Sequence, residues 1–175
     1  MRRIARGAHI GAENPAKDKV GFSEEVNAVT RVADVMAQQV ITADPQMILA
    51  EVARRMKEHD IGALPVVGAD GRLLGIVTDR DIVVRALSEA KDGNLRVADV
   101  MTPNPVTITP DRPLLEAAKL MAEHQIRRLI VVEGGRVVGM LSVKDLAETE
   151  EGFRFVDTVI REVSETVEEH GAEVH

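Results

Sequence analysis

The five residues VADVM occur twice in this 175-residue chain, at Val32–Met36 and, 65 positions later, at Val97–Met101. The similarity extends far beyond them, because residues 32–67 and 97–132 align without gaps and are identical at 17 of 36 positions. Chance does not produce such a match. The chain therefore contains an internal repeat of two units of roughly 55 residues, which favours a pseudo-symmetric pair over a solenoid.

The first helix of each unit is predicted from apolar residues at helical spacing. These are Leu49, Val52, Ala53 and Met56 in unit one, and Leu114, Ala117, Ala118 and Met121 in unit two. We expect the helices to begin at Asp44-Pro45 and Thr109-Pro110, since a capping side chain precedes proline in both. A short extended segment is expected before each helix, at residues 40–42 and 106–108.

A hairpin follows the first helix in each unit. Its strands are predicted at residues 61–67 and 73–77 in unit one, and at 126–132 and 137–141 in unit two, with glycine in both turns. Second helices are predicted at residues 79–90 and 143–150. The order helix, strand, strand, helix therefore occurs twice.

The two ends of the chain lie outside the repeat. Residues 1–25 begin with three arginines and then become polar, which favours a flexible arm over the alternative of a transit peptide. Near the other end, Phe153, Val156, Val159, Ile160 and Val163 recur at helical spacing. The predicted organisation is an arm (1–25), unit one (26–90), unit two (91–150), and an amphipathic helix with a tail (151–175).

The composition excludes several classes of function. With no cysteine, the chain has no thiolate nucleophile, disulfide or Cys-based metal site. It lacks a long apolar run or a secretory signal, so we expect a cytoplasmic protein without a membrane partner. A net charge of −7 and only 2% aromatic residues argue against nucleic acid as a partner.

A motif of glycine, two apolar residues, Thr or Ser, two further residues and Asp occurs at residues 75–81 and 139–145. Thr78 with Asp81, and Ser142 with Asp145, have the spacing of a helix capping box, which is a purely structural interpretation. The same geometry can instead serve a ligand, because free N–H groups bind anions and a carboxylate accepts hydrogen bonds from ribose hydroxyls. The motif alone leaves both interpretations open.

Two units of this layout, each ending in that motif, resemble a tandem pair of CBS domains, also called a Bateman module, over residues 32 to about 147. The strings HDIGALPVV (59–67) and HQIRRL (124–129) are similar to those of stand-alone bacterial CBS-pair proteins. The resemblance implies an α/β (α+β) fold of two pseudo-symmetric CBS units, each a small sheet packed by two helices, with an extra C-terminal helix. It also implies a homodimer and two clefts that bind adenosine-containing molecules.

Each implied cleft takes its motif from one unit and its opposite wall from the other. The resemblance assigns Thr78, Arg80, Asp81, Thr107, Ile108, Arg127 and Arg128 to cleft one. It assigns Ser142, Lys144, Asp145, Ile41, Thr42, Gly62 and Ala63 to cleft two. The hydroxyls would bind phosphate and the carboxylates ribose. Strand alternation predicts that only one of the two adjacent arginines points into cleft one, and this cleft is expected to prefer phosphate.

Other candidate residues have structural interpretations that we favour. His59 and His124 occupy equivalent repeat positions near helix ends, and neither has further metal ligands nearby in the sequence. Met36, Met56, Met101 and Met121 also occupy equivalent positions, which favours core packing over an exposed methionine surface.

These observations favour a non-catalytic regulatory module that binds an adenine nucleotide and signals to an unknown protein partner. No cofactor is required, and AMP and ATP are the first candidate ligands. Catalysis is not expected, since the sequence offers no catalytic triad, metal-ligand cluster or Walker-type phosphate loop. The alternative is a structural or stress-induced protein that acts as a dimeric scaffold with empty clefts.

Overall fold

The computed structural model describes residues 29–89 and 94–171, and within the last helix the side chains of residues 150–157 and 159–162. The predicted N-terminal arm at residues 1–25 and the side chain of Val163 lie outside this part. Unit one contains α1 (Val32–Val35), α2 (Leu49–His59), β1 (Ala63–Val67), β2 (Leu73–Thr78) and α3 (Asp79–Asp81). A π-helical turn (Ile82–Ala86) and a 3-10 turn (Leu87–Glu89) continue α3.

Unit two repeats this order and is followed by a long helix. Its elements are α4 (Val97–Val100), β3 (Thr102–Pro103), β4 (Thr107–Ile108), α5 (Leu114–Glu123), β5 (Arg128–Glu133), β6 (Arg136–Ser142) and α6 (Val143–Ala147). The last element, α7, spans Glu150–Gly171. The mixed fold class, the two hairpins and the C-terminal helix are thus confirmed, although α6 ends three residues before its predicted end.

The predicted starts of the first helices are wrong. α2 begins at Leu49, with Ile48 at its N-cap, and α5 begins at Leu114 after Pro113. Asp44 instead forms a local turn in which Oδ1 accepts a hydrogen bond from the Gln46 backbone N–H at 2.7 Å. Such short-range side-chain bonds compete with helix formation, so a capping residue followed by proline begins a turn here.

The apolar stripes are largely confirmed. In α2, Leu49, Val52 and Met56 are buried, but Ala53 is exposed. In α5 all four predicted residues are buried, and they pack in one core with α7. Within α7, Val156 and Val159 are buried, whereas Phe153 is 67% and Ile160 is 50% exposed. The apolar stripe of α7 is therefore only partly covered by its own chain.

Two three-stranded sheets have the orders β1-β2-β3 and β4-β5-β6. Each contains an antiparallel hairpin, and β3 joins the first through the antiparallel pair Ile76 and Thr102, whereas β4 lies parallel to β5. An isolated bridge between Ala37 and Met140 is the repeat equivalent of the β2–β3 contact. The segment that leads into each unit therefore pairs with the sheet of the other unit.

The VADVM helices follow the same exchange. In α1, Val32 is fully buried in the core of unit two, and its N–H donates to Arg112 O at 2.9 Å. In α4, Val97 is fully buried in the core of unit one, and its N–H donates to Met47 O at 2.9 Å. Each repeated motif thus completes the core of the opposite unit, a crossover that the sequence does not predict.

The glycine that opens each Gly-h-h-Thr/Ser-x-x-Asp motif makes room for this crossover. A Cβ on Gly75 would lie 2.8 Å from Thr102 O and 2.9 Å from Met101 Sδ. A Cβ on Gly139 would likewise collide with Met36. The glycine is needed here for close approach of the exchanged segment, and Met36 and Met101 pack at the edges of the two cores as predicted.

Candidate functional site

A cavity of about 450 Å³, which we call cavity one, lies between the two units. Five of the seven residues assigned to cleft one line it, namely Thr78, Arg80, Asp81, Arg127 and Arg128. Gly62 and Ala63, assigned to cleft two, also border it. Its volume lies in the range usual for small-molecule sites, which begins near 300 Å³.

A second cavity of about 170 Å³, cavity two, lies beside the other motif. Ser142 and Asp145 face Ile41 and Ala63 across it, as assigned. Arg128 also lines this cavity and is therefore shared by both. Ala63, its repeat equivalent, is shared in the same way, so this pair of residues marks the boundary between the two cavities.

Five assigned residues lie outside the cavity to which they were assigned. Gly62 lines cavity one and not cavity two, and four others line neither. Thr107 and Ile108 line a separate depression of about 280 Å³, and Ile108 is only 4% exposed because it packs in the core of unit two. The Thr42 carbonyl accepts a hydrogen bond from Arg55 Nη1 at 3.1 Å. The exposed Lys144 lies 3.9 Å from Glu148 Oε1. The structure thus does not bring these four side chains into the cavities to which they were assigned.

Both motifs form the capping boxes that their spacing predicts. Asp81 Oδ2 accepts from the Thr78 N–H at 2.9 Å and from Thr78 Oγ1 at 2.7 Å. Asp145 Oδ2 accepts from the Ser142 N–H at 2.7 Å and from Ser142 Oγ at 2.6 Å. The structural interpretation of the motif is therefore correct for one oxygen of each carboxylate. It leaves the other oxygen, Oδ1, available for a different partner.

Cavity one contains more positive than negative side chains. Arg80, Arg127 and Arg128 line it together with Asp79 and Asp81. Among residues 29–89 and 94–171, none of these arginines has an ion-pair partner within 4.0 Å. Cavity two has one arginine and one carboxylate. An anionic group therefore has more cationic partners in cavity one.

The adjacent arginines do not divide between cavity and solvent as strand alternation predicts. Both Arg127 and Arg128 line cavity one, and both are exposed. The strand β5 begins at Arg128, so Arg127 lies before it and its orientation is not set by the alternation of strand residues.

Sequence reasoning missed Arg85. Its Nη1 lies 3.3 Å from Asp81 Oδ1 and donates to the Val100 carbonyl at 2.7 Å. The spacing of four residues on a helical segment is a signal for this ion pair. The repeat hides it, because the equivalent residue of unit two is Thr149.

The histidines provide no metal site in the part of the chain that the structure describes. His59 and His124 are both exposed, and His124 lies at the edge of cavity one. No group of three or more His, Asp or Glu side chains among the described residues could hold an ion. None of the helices in the described part of the chain is both long enough and apolar enough to cross a bilayer.

Solved structures with a similar fold include CBS-pair proteins with bound ligands. The CBS domain pair of protein MJ0100, solved with 5-methylthioadenosine and S-adenosyl-L-methionine, is 32% identical with a TM-score of 0.63, over 68% of this chain and 94% of that chain. Protein PAE2072 of Pyrobaculum aerophilum, complexed with AMP, is 25% identical with a TM-score of 0.66, over 74% and 99%.

A further relative is the Hypoxic response protein 1 of Mycobacterium tuberculosis, which is 36% identical over 120 residues, covering 68% of this chain and 84% of that protein. A crystal structure of Hypoxic Response Protein I with two coordinated zinc ions has a TM-score of 0.63 to this chain. The family model of the CBS domain matches residues 32–88 and 97–152. With two such matches arranged around a pseudo-symmetric pair of cavities, this chain belongs to the CBS domain family.

Proposed function

We propose that the chain is a non-catalytic regulatory module that binds an adenosine-containing nucleotide and transmits its occupancy to a protein partner. The observation that carries this proposal is cavity one, where three arginines without ion-pair partners among the described residues surround a hydroxyl and a carboxylate. AMP and ATP are the first candidates because they combine a phosphate with a ribose. The relatives solved with AMP, or with S-adenosyl-L-methionine, support the adenosine class.

The phosphate belongs near the arginines of cavity one. A charge-assisted hydrogen bond contributes about 1.5–3 kcal/mol, which corresponds to about tenfold or more in affinity. The cavity wall offers the base no Phe, Tyr or Trp, and its apolar side chains, such as Ile76, Val106 and Ile126, are aliphatic. The imidazole of His124 is the one aromatic ring among the lining residues. Binding of the base therefore depends on aliphatic contact and burial.

The direct test is isothermal titration calorimetry with AMP, ATP, adenosine and inorganic phosphate. We expect Arg127→Ala to weaken AMP about tenfold while leaving adenosine nearly unchanged, because only the phosphate contact is removed. Arg54→Ala is a matched control, since Arg54 is an exposed arginine on α2 that lines neither cavity. Equal loss in the two variants, or no heat with any adenine compound at millimolar concentration, would contradict the proposal.

A ligand-free dimeric scaffold is the second candidate. It is favoured by the capping boxes, in which the Thr78 and Ser142 hydroxyls and one oxygen of each carboxylate already have partners within the chain. Its interaction surface would include the exposed apolar side chains of the π-helical turn and α7, namely Val83, Val84, Phe153 and Ile160. The calorimetric test separates the two candidates, because a scaffold gives no ligand heat.

A further inference from the structure

The two motif carboxylates differ at the oxygen that the capping boxes leave available. Asp81 Oδ1 lies 3.3 Å from Arg85 Nη1, whereas Asp145 Oδ1 has no hydrogen-bond donor among residues 29–89 and 94–171. The repeat does not explain this difference, since the motifs themselves match. It results from the residue four positions after each aspartate.

Arg85 is held in place from the far side. Its Nη1 also donates to the Val100 carbonyl at 2.7 Å and to Thr102 Oγ1 at 3.1 Å, both in the segment that crosses over to unit one. In unit two the equivalent residue is Thr149, an uncharged side chain whose hydroxyl donates its hydrogen bond to Leu146 O at 2.9 Å. Of the two motif aspartates, Asp81 alone has an ion-pair partner within the described part of the chain.

A carboxylate recognises the two hydroxyls of a ribose by accepting hydrogen bonds, and a guanidinium held beside it stabilises the same negative charge and so reduces the gain from those bonds. Asp81 has its capping oxygen used by Thr78, and its second oxygen lies in an ion pair with Arg85, whose Nη1 protons are donated to the Val100 carbonyl and Thr102 Oγ1. Asp145 keeps one oxygen without a described partner. Recognition of a ribose diol is therefore stronger at Asp145 than at Asp81.

The charge of the two cavities points in the same direction. Cavity two, at about 170 Å³, is much smaller than cavity one at about 450 Å³, and it has one arginine where cavity one has three. The less positive site suits a ligand without a phosphate. The larger and more positive site suits the phosphate of a nucleotide.

We infer that Arg85 is a specificity-determining residue that makes cavity one depend on phosphate and little on the ribose diol. Cavity two is then a diol-dependent site for a neutral adenosine compound. This inference rests on the proposed function, because it assigns different members of one ligand class to the two cavities.

The test compares ligands that differ only in the 2′-hydroxyl. In an Asp145→Asn background, which removes the free carboxylate of cavity two, AMP and 2′-deoxy-AMP should bind with affinities within about threefold of each other. Adding Arg85→Gln removes the cation beside Asp81 Oδ1, and the preference for AMP should rise to about tenfold, as expected for one hydrogen bond to a charged group. Arg85→Lys keeps the charge and should leave the ratio low.

The reciprocal variant protects the test against loss of folding in Arg85→Gln. In an Asp81→Asn background, cavity two should prefer adenosine over 2′-deoxyadenosine by about tenfold, and Thr149→Arg should reduce that preference by placing a guanidinium near Asp145. Thermal melts followed by circular dichroism check that each variant is folded. If the preference for the ribose compound over its 2′-deoxy analogue is equal in both cavities and is unchanged by the Arg85 and Thr149 variants, the inference about Arg85 is wrong and the proposed function still stands. Absence of all adenosine binding in wild type overturns the proposed function as well.

Discussion

Replacing Gly75 by alanine should destabilise the protein through the crossover segment. The new Cβ would lie 2.8 Å from Thr102 O and 2.9 Å from Met101 Sδ. A carbon and a carbonyl oxygen in contact normally lie about 3.3–3.6 Å apart, so β3 must move by about half an ångström or more. Because Thr102 O belongs to the backbone of a paired strand, no side-chain rotation relieves the collision.

Overpacking of this kind costs about 1–3 kcal/mol in free energy of unfolding. With a urea m-value of about 2 kcal/mol/M, a loss of about 2 kcal/mol lowers the unfolding midpoint by about 1 M. The assay is urea denaturation followed by far-ultraviolet circular dichroism, since the chain contains neither Trp nor Tyr.

Gly68→Ala is the matched control. Its Cβ would lie 3.1 Å from Asp70 Oδ1, the end of a side chain that is 63% exposed and can rotate away. The free energy of unfolding should therefore change by no more than about 0.5 kcal/mol. A Gly75→Ala protein as stable as wild type would refute the reasoning, and so would an equal loss in Gly68→Ala.

Three further outcomes are expected. Leu64→Ala and Leu129→Ala remove equivalent, fully buried side chains, and each should lower the free energy of unfolding by about 2–5 kcal/mol. Because α1 and α4 join the two cores, each substitution should shift one common unfolding transition. Two separate transitions would contradict this. The Thr109 hydroxyl donates a hydrogen bond to Asp111 and holds the pKa of that carboxyl below its ordinary value. Thr109→Val should therefore raise the pKa of Asp111 in a ¹³C NMR titration. The stabilisation of the fold by this hydrogen bond is present near neutral pH and is lost as the pH falls through the folded pKa. Light scattering should give about twice the chain mass of 19.1 kDa, since Val83, Leu87 and Phe153 are exposed, and a monomer at micromolar concentration would exclude the dimer.

The repeat made most of the fold predictable because local pattern decides local structure. Apolar spacing located α2 and α5, and β-branched segments separated by glycine turns located both hairpins. The crossover was not predictable in the same way. Val32 and Val97 are buried in either arrangement, so their hydrophobicity does not show which unit covers them.

The site residues that belong to the repeated motif could be predicted from the sequence. Those contributed by segments distant in the sequence could not. Thr78, Asp81, Ser142 and Asp145 lie in the cavities because Thr78 and Ser142 end the last strand of each hairpin and the aspartates follow three residues later. Ile108 was assigned to a cleft, but its side chain packs in the core, since a two-residue strand buries one of its two faces.

Arg85 lay outside the prediction for another reason. Its contact with Asp81 departs from the internal symmetry of the repeat, since the equivalent residue of unit two is Thr149. A repeat reveals what two units share, and functional differences between two sites arise at positions where they differ.

The exchange of α1 and α4 has a consequence for how the chain can be divided. A fragment that ends near residue 89 carries α1, which belongs in the core of unit two, and lacks α4, which completes its own. Neither half then buries its apolar surface when expressed alone. The two halves should associate as complementary fragments when they are expressed together, as the fragments of a split reporter do. Despite its duplicated sequence, the protein should therefore fold as one cooperative unit.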